Sequence, residues 1–206
     1  MLIKTLITYN LGMKFKLFFL VFLFSFNVKA DLKNSLDQEI DDLMPKVIEW
    51  RHDIHQYPEL GNREFRTAKK IEDHLVSLGI EVETKIAYTG LVGLIKGEKS
   101  GPTIALRADM DALPVEEKTG LPFASKVRTT YLGNDVGVMH ACGHDAHVAI
   151  LMGVAEFLAK NKAHLKGNVM LIFQPAEEGP PEDEGGGAKM MLEEGIFDKY
   201  KPEVIF

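Results

Sequence analysis

Cysteine is almost missing from this chain: Cys142 is the one thiol among 206 residues. A single cysteine excludes an internal disulfide framework, so the fold rests on its apolar core. Basic residues are also in short supply, with 24 Lys and Arg against 30 Asp and Glu, a net charge of -6. That balance argues against nucleic acid as a partner, because binding a phosphate backbone needs a basic surface. Long hydrophobic runs are absent too. The longest, Leu17–Phe26, covers ten residues, well short of the ~20 that a membrane-spanning helix requires. No repeats or low-complexity tracts appear. What remains is ordinary globular material, 46% hydrophobic and 26% charged, long enough for one domain with a real core.

The short apolar run has the surroundings of a targeting segment. Lys14 and Lys16 precede it, and Val28-Lys-Ala30 follows with apolar or small residues at the -3 and -1 positions of a signal-peptidase site. Residues 1–30 are therefore expected to be a signal peptide, with export to the periplasm or the exterior and no membrane attachment after cleavage. They contain four lysines and no acid, so the remainder carries 20 basic against 30 acidic residues, a net of -10.

From Asp31 the pattern becomes helical, with Leu36, Ile40, Leu43, Met44, Val47 and Ile48 near helical spacing and Pro58 marking the end. Pro45 lies inside that pattern and predicts a kink or break. A second helix is expected over Glu64–Leu78, with Phe65, Ala68, Ile71, Leu75 and Leu78 inward and Gly79 at its C-cap. Ile80–Ile86, Leu91–Lys96 and Thr103–Ala108 are short apolar runs separated by glycines and a Gly-Pro, which predicts strands joined by turns. Residues 112–136 look like one long loop. A third helix is expected from Asp145 to Lys160, with Ile150, Leu151, Val154, Phe157 and Leu158 inward. Asn168–Gln174 suits a buried strand, Ala188–Glu194 a helix, and Val204–Phe206 the start of another strand. Strands alternating with helices imply an α/β layered fold. A chain that stops on an apolar strand suggests a fragment.

Three segments carry chemistry. Met139-His-Ala-Cys-Gly-His-Asp-Ala-His147 surrounds the only cysteine with histidines. Cys142 and His144 are two apart, so an extended segment projects both to one side, where a thiolate and an imidazole suit zinc or a similar ion. Gly143 permits an unusual backbone angle between them, and Asp145 is placed to N-cap the following helix. The alternative is a buried cysteine beside structural histidines. Next, Phe173-Gln-Pro-Ala-Glu-Glu-Gly179 follows the strongest strand, and ligand crevices in α/β sheets open at such strand ends. Paired carboxylates there can divide labour, one binding metal and the other moving protons, although two adjacent glutamates are as often solvated surface. Third, Arg107, Asp109 and Asp111 alternate at the end of a strand. The aspartates either orient a ligand imidazole or pair with arginine to close a turn.

Together with Arg51-His-Asp-Ile-His-Gln-Tyr-Pro-Glu-Leu60 and Glu64 behind it, these segments resemble the aminoacylase and carboxypeptidase-G-like metallopeptidase family. The nearest branch is its amidohydrolases, which include hippurate hydrolases and indole-acetyl-amino-acid hydrolases. The resemblance covers Trp50 to Phe206 and rests on four motifs in order. It implies a three-layer, zinc-peptidase-like α/β domain with a mixed sheet flanked by helices, incomplete on its C-terminal side. It implies metal-dependent hydrolysis of the amide bond of N-acyl amino acids, with Cys142, His144 and Glu178 as metal ligands, Glu177 as catalytic base and Asp111 orienting a ligand. Two divalent ions, Zn, Mn, Co or Ni, complete the implied site. The family also has a ligand histidine just beyond the strand that begins here at Glu203, another near its C-terminus, and a dimerising lid domain. None of these lies within the 206 residues, so residues 31–206 are expected to be the N-terminal part of the catalytic domain and, alone, inactive. Two rival readings are a decayed copy that keeps the fold and part of the metal site, and a dipeptidase or carboxypeptidase of the same family. Pro180-Pro-Glu-Asp-Glu184 reads as an insertion that reshapes the rim of the site.

Overall fold

The computed structural model describes residues 33–206. The expected signal peptide lies outside the described residues. Contacts divide the chain at Leu43–Met44 into two units. The described part of the first is helical and is laced by local pairs such as Lys33 with Asp37 and Gln38 with Asp42. The second unit, Met44–Phe206, holds the sheet.

Helix α1 is assigned over 33–56 without interruption, so the break expected at Pro45 is not there. Pro45 is exposed, and the carbonyl left without its amide partner can be hydrated instead. Helix α2 spans Phe65–Ser77, with Gly79 just beyond it at φ +71, the left-handed conformation that ends a helix at little cost to glycine. Its buried residues are Thr67, Ile71 and Leu75. Phe65, expected inward, is 63% exposed, because it sits about 200° around the helix from Thr67. Helix α3 spans His144–Lys160 and buries Val148, Leu151, Met152 and Ala155. Ile150, also expected inward, is 56% exposed for the same reason of phase, being about 200° from Val148.

The sheet contains β1 (Glu81–Ile86), β2 (Gly90–Lys96), β3 (Lys99–Asp109), β6 (Lys166–Gln174) and β7 (Val204–Ile205), in the order β1-β2-β6-β3-β7. It is mixed: β2 is antiparallel to both β1 and β6, whereas β3 is parallel to both β6 and β7. Gly101-Pro102, expected in a turn, lies inside β3, where the pairing shifts register between Lys99 and Thr103. Strand β6 is buried on both faces, which is why it reads as a continuous apolar run. Val169, Leu171 and Phe173 pack under α1, α2 and α3 with Ile54, Ile71 and Met152. Met170 and Ile172 face the opposite side, toward Met191 of α4 (Gly187–Glu193) and Ile196 of α5 (Ile196–Tyr200). Two apolar clusters on either side of one sheet make the three layers that the resemblance implied.

The stretch 112–136 is not a single loop. Its second half folds into a hairpin of β4 (Arg128–Tyr131) and β5 (Asn134–Gly137). The turn residues Leu132 and Gly133 both have positive φ, +48 and +77, as a tight two-residue hairpin turn demands.

Candidate metal centre

Parallel neighbours end on the same edge of a sheet, and this places the site. Asp109 at the end of β3 pairs with Gln174 at the end of β6, and the Met110 N–H donates to the Gln174 carbonyl at 2.9 Å. Just beyond those ends lie Asp111 on one side and Glu177 and Glu178 on the other. Leu113 and Met139 exchange backbone hydrogen bonds at 3.0 Å, bringing the Cys142 segment and the start of α3 to the same edge. Gly143, at φ +89, turns the chain into α3.

Cys142, His144 and Glu178 converge there, with one donor atom from each lying within 4.8 Å of the others. Cys142 is exposed rather than buried among apolar side chains. The carboxylate of Glu178, to which the thiol is hydrogen-bonded, raises the Cys142 pKa, with desolvation adding to it. His144 is buried, and its orientation is fixed: Nδ1 donates to the Asp111 carbonyl oxygen at 2.8 Å, with Asp111 Oδ1 at 3.3 Å. That leaves Nε2 facing Glu177 at 3.8 Å and Glu178 at 4.0 Å. Burial alone would lower the His144 pKa, but the Asp111 carboxylate and carbonyl overrule it and push it up to about 9. The edge therefore attracts positive charge.

Asp111 works in two directions. Its Oδ2 accepts the Glu178 N–H at 2.8 Å, while its other oxygen flanks His144 and is buried without a hydrogen bond among the described residues. Burial would raise its pKa, but His144 and the N–H groups of Glu178 and Glu177 outweigh that and hold it below the usual carboxylate value. Asp109 is committed elsewhere: both its oxygens accept from Arg107, at 2.9 Å each. Asp109, His144 and His147 also lie within 4.8 Å of one another, but that guanidinium occupies the carboxylate a second cluster would need. In the Arg-Asp-Asp segment, then, Asp109 pairs with Arg107 while Asp111 contacts His144.

Asp145 does not cap α3. It is the second helical residue, and its Oδ2 instead bonds His55 Nδ1 at 2.9 Å and Arg51 Nε at 3.1 Å. His55 Nε2 meets Glu117 at 3.2 Å, tying the 112–127 loop to α1. Neighbouring His140 is buried with neither ring nitrogen hydrogen-bonded among the described residues, and desolvation pushes its pKa down to about 4. Local pattern did not single out Glu64 for a role at the site. It is fully buried, accepting the Thr89 hydroxyl at 2.5 Å and the Ala176 N–H at 2.8 Å.

Burial raises the Glu64 pKa from 4.5 to about 7, although those two hydrogen bonds act the other way. A raised carboxyl binds its proton more tightly in the folded chain, so its contribution is complete below pH 4.5 and is lost as pH rises through 7. At ~1.4 kcal/mol per pH unit, the loss is on the order of 3 kcal/mol. Glu64→Gln does not titrate there, so its stability relative to wild type should rise by a few kcal/mol between pH 4.5 and 8. Urea midpoints across that range check this, and a constant difference contradicts it.

A cleft of about 550 Å³ opens beside Glu178, with Leu60, Leu113, Pro114, Val127, Tyr131 and Val138 on its walls. The 180–184 segment forms part of its rim: Pro181 and Glu182 line it, and Glu184 is clamped by Arg63 at 2.6 Å and Asn62 at 2.9 Å.

A layered α/β domain that gathers a thiol, an imidazole and carboxylates beyond its strand ends has the organisation of a metallopeptidase catalytic domain. Residues 105–206 match the model of peptidase family M20/M25/M40. It is 49% identical over 170 residues to thermostable carboxypeptidase 1 of Saccharolobus solfataricus, covering 82% of this chain and 40% of that one. It is 44% identical over 172 residues to hippurate hydrolase of Campylobacter jejuni, covering 84% and 41%. The crystal structure of the Bacillus subtilis YXEP protein, described as a dinuclear metal binding peptidase from the M20 family, superposes with a TM-score of 0.67. It is 44% identical and covers 77% of this chain and 41% of that one. The chain thus spans about two-fifths of the length of these relatives.

Proposed function

We propose that the protein is a metal-dependent amidohydrolase that splits the amide bond of N-acyl amino acids into a carboxylic acid and an amino acid. The observation that supports this reading is the freed Nε2 of His144. Its other nitrogen is held by Asp111, and the free one faces Glu178 with Cys142 alongside. A ligand histidine characteristically donates its second N–H to a carbonyl or carboxylate in this way. Thiolate, imidazole and carboxylate together are donors that suit a transition-metal ion such as zinc. Cys142, His144 and Glu178 would hold the metal, with Zn, Mn, Co or Ni as the candidate ions and two per complete site. Divalent metal, when bound, supplies Lewis acidity toward the scissile carbonyl and lowers the pKa of water.

Glu177 is exposed and stands 3.8 Å from His144 Nε2 and 3.9 Å from Arg107. In the reaction it takes a proton from the attacking water as the C–O bond forms, and returns it to the amine nitrogen as the C–N bond breaks. The cleft beside Glu178 receives the acyl group. Its apolar walls favour a ring over a methyl group, so N-benzoyl amino acids should be hydrolysed with a kcat/KM ~10-fold or more above their N-acetyl counterparts. Initial rates of the whole protein on a panel of N-benzoyl, N-acetyl and dipeptide substrates test both claims. Preference for dipeptides or C-terminal residues of longer peptides would favour a carboxypeptidase instead, the activity for which the Saccharolobus relative is named. Residues 1–30 act as a signal peptide in this account. Mass spectrometry of exported protein should find Asp31 at the N-terminus, and an intact leader in a soluble cytoplasmic fraction would refute export.

A further inference from the structure

We propose that Glu64 is a positioning residue that fixes the 175–179 turn and, through it, the carboxylates of Glu177 and Glu178. Glu64 precedes α2 in the N-cap position, yet its side chain makes no capping bond to that helix. It reaches instead to residue 176, 112 positions away, and accepts the Ala176 N–H. Ala176 is the residue that needs help. Its φ is +47, a left-handed conformation disfavoured for any residue with a Cβ. It is also the last residue before the glutamate pair, so its backbone angle sets where both side chains point.

The rest of the turn is held by close backbone approach. A Cβ at Gly61 would lie 2.7 Å from the Gly179 carbonyl oxygen and 3.1 Å from Ala176, and one at Gly90 would lie 2.8 Å from Pro175 Cδ. Only glycine leaves room for the turn at these places. Two buried carboxylates then take its amides in series: Glu64 holds Ala176, and Asp111 holds Glu178. The Thr89 hydroxyl, bonded to the second oxygen of Glu64, keeps that carboxyl aimed. Both amides of the turn are thus held by protein carboxylates rather than by an ion. Preorganisation of this kind keeps ligands from having to be ordered by the ion itself.

The inference rests on Glu178 as ligand and Glu177 as base, but its first test does not. Amide exchange in the 15N-labelled, metal-free chain should show Ala176 protected in wild type and in Glu64→Gln, which keeps an acceptor oxygen. In Glu64→Ala that amide should exchange at least ~10-fold faster, with the β6 amides unchanged. Equal protection of Ala176 in Glu64→Ala overturns the proposal. Should Glu64→Ala lose protection throughout, Thr89→Val is the milder probe: a faster Ala176 amide alone supports the proposal, and an unchanged one overturns it. The second test is cobalt(II) affinity, expected to fall ~10-fold in Glu64→Ala, to hold in Glu64→Gln, and to recover partly in Glu64→Ala with Ala176→Gly. Faster exchange at Ala176 with unchanged cobalt affinity would also overturn the positioning role. A wild-type chain that takes up no cobalt would instead count against the ligand assignment and leave the exchange result to decide.

Discussion

Glu177→Gln is expected to lower amide hydrolysis by ~10²-fold or more while bound metal stays in place, and Glu178→Gln to lower the bound metal itself. The two side chains are adjacent but not equivalent. Glu178 shares its neighbourhood with Cys142, and its own N–H is tied down by Asp111. A ligand exchanged for a neutral amide loses a charged donor, and metal occupancy falls with it. Glu177 lies 3.8 Å from His144 Nε2 and is the more exposed of the two, with Arg107 3.9 Å away. An amide there keeps the shape but cannot take a proton, so the loss falls on the chemical step. Metal analysis beside initial rates on an N-benzoyl amino acid separates the two effects. Equal metal loss in both variants would refute the division.

The second large effect is expected at Asp111, which touches no metal in this account. Asp111→Ala should weaken metal affinity by ~10- to 100-fold, the usual cost of removing the partner that orients a ligand histidine. It removes the carboxylate that flanks His144 Nδ1 and the acceptor of the Glu178 N–H, so two of the three ligands lose their support. The Asp111 carbonyl still accepts from His144, which keeps the loss finite. Asp111→Asn retains an acceptor for Glu178 and should fall between wild type and alanine. Competitive chelator titrations measure this, and an alanine variant with wild-type affinity would remove Asp111 from the site.

Much of this could be read from the sequence because the relevant signals are local. Cys142 and His144 are two residues apart, and Glu177 and Glu178 follow closely on the most apolar strand, so short-range pattern singled them out as candidates, while their roles came from the family resemblance. Helix phase was read less well. Phe65 and Ile150 look apolar and inward, but each lies opposite its helix's buried stripe. The β4–β5 hairpin escaped because Arg128–Tyr131 is exposed throughout and lacks apolar alternation, and its turn uses Leu132 where Asn or Asp would have signalled a positive φ. Asp145 looks like a cap by position, yet a buried histidine 90 residues away claims it. The Glu64–Ala176 contact joins residues 112 apart and depends on a backbone angle that no composition predicts.

The assignment of Cys142, His144 and Glu178 as ligands to one ion meets its most direct test in a cobalt(II) titration followed by absorption. Wild-type protein should develop a thiolate-to-cobalt charge-transfer band that saturates. Cys142→Ser should abolish the band, and His144→Ala and Glu178→Gln should each weaken the affinity at which it appears. A band that never forms, or one whose titration is the same in His144→Ala and Glu178→Gln as in wild type, would contradict the account.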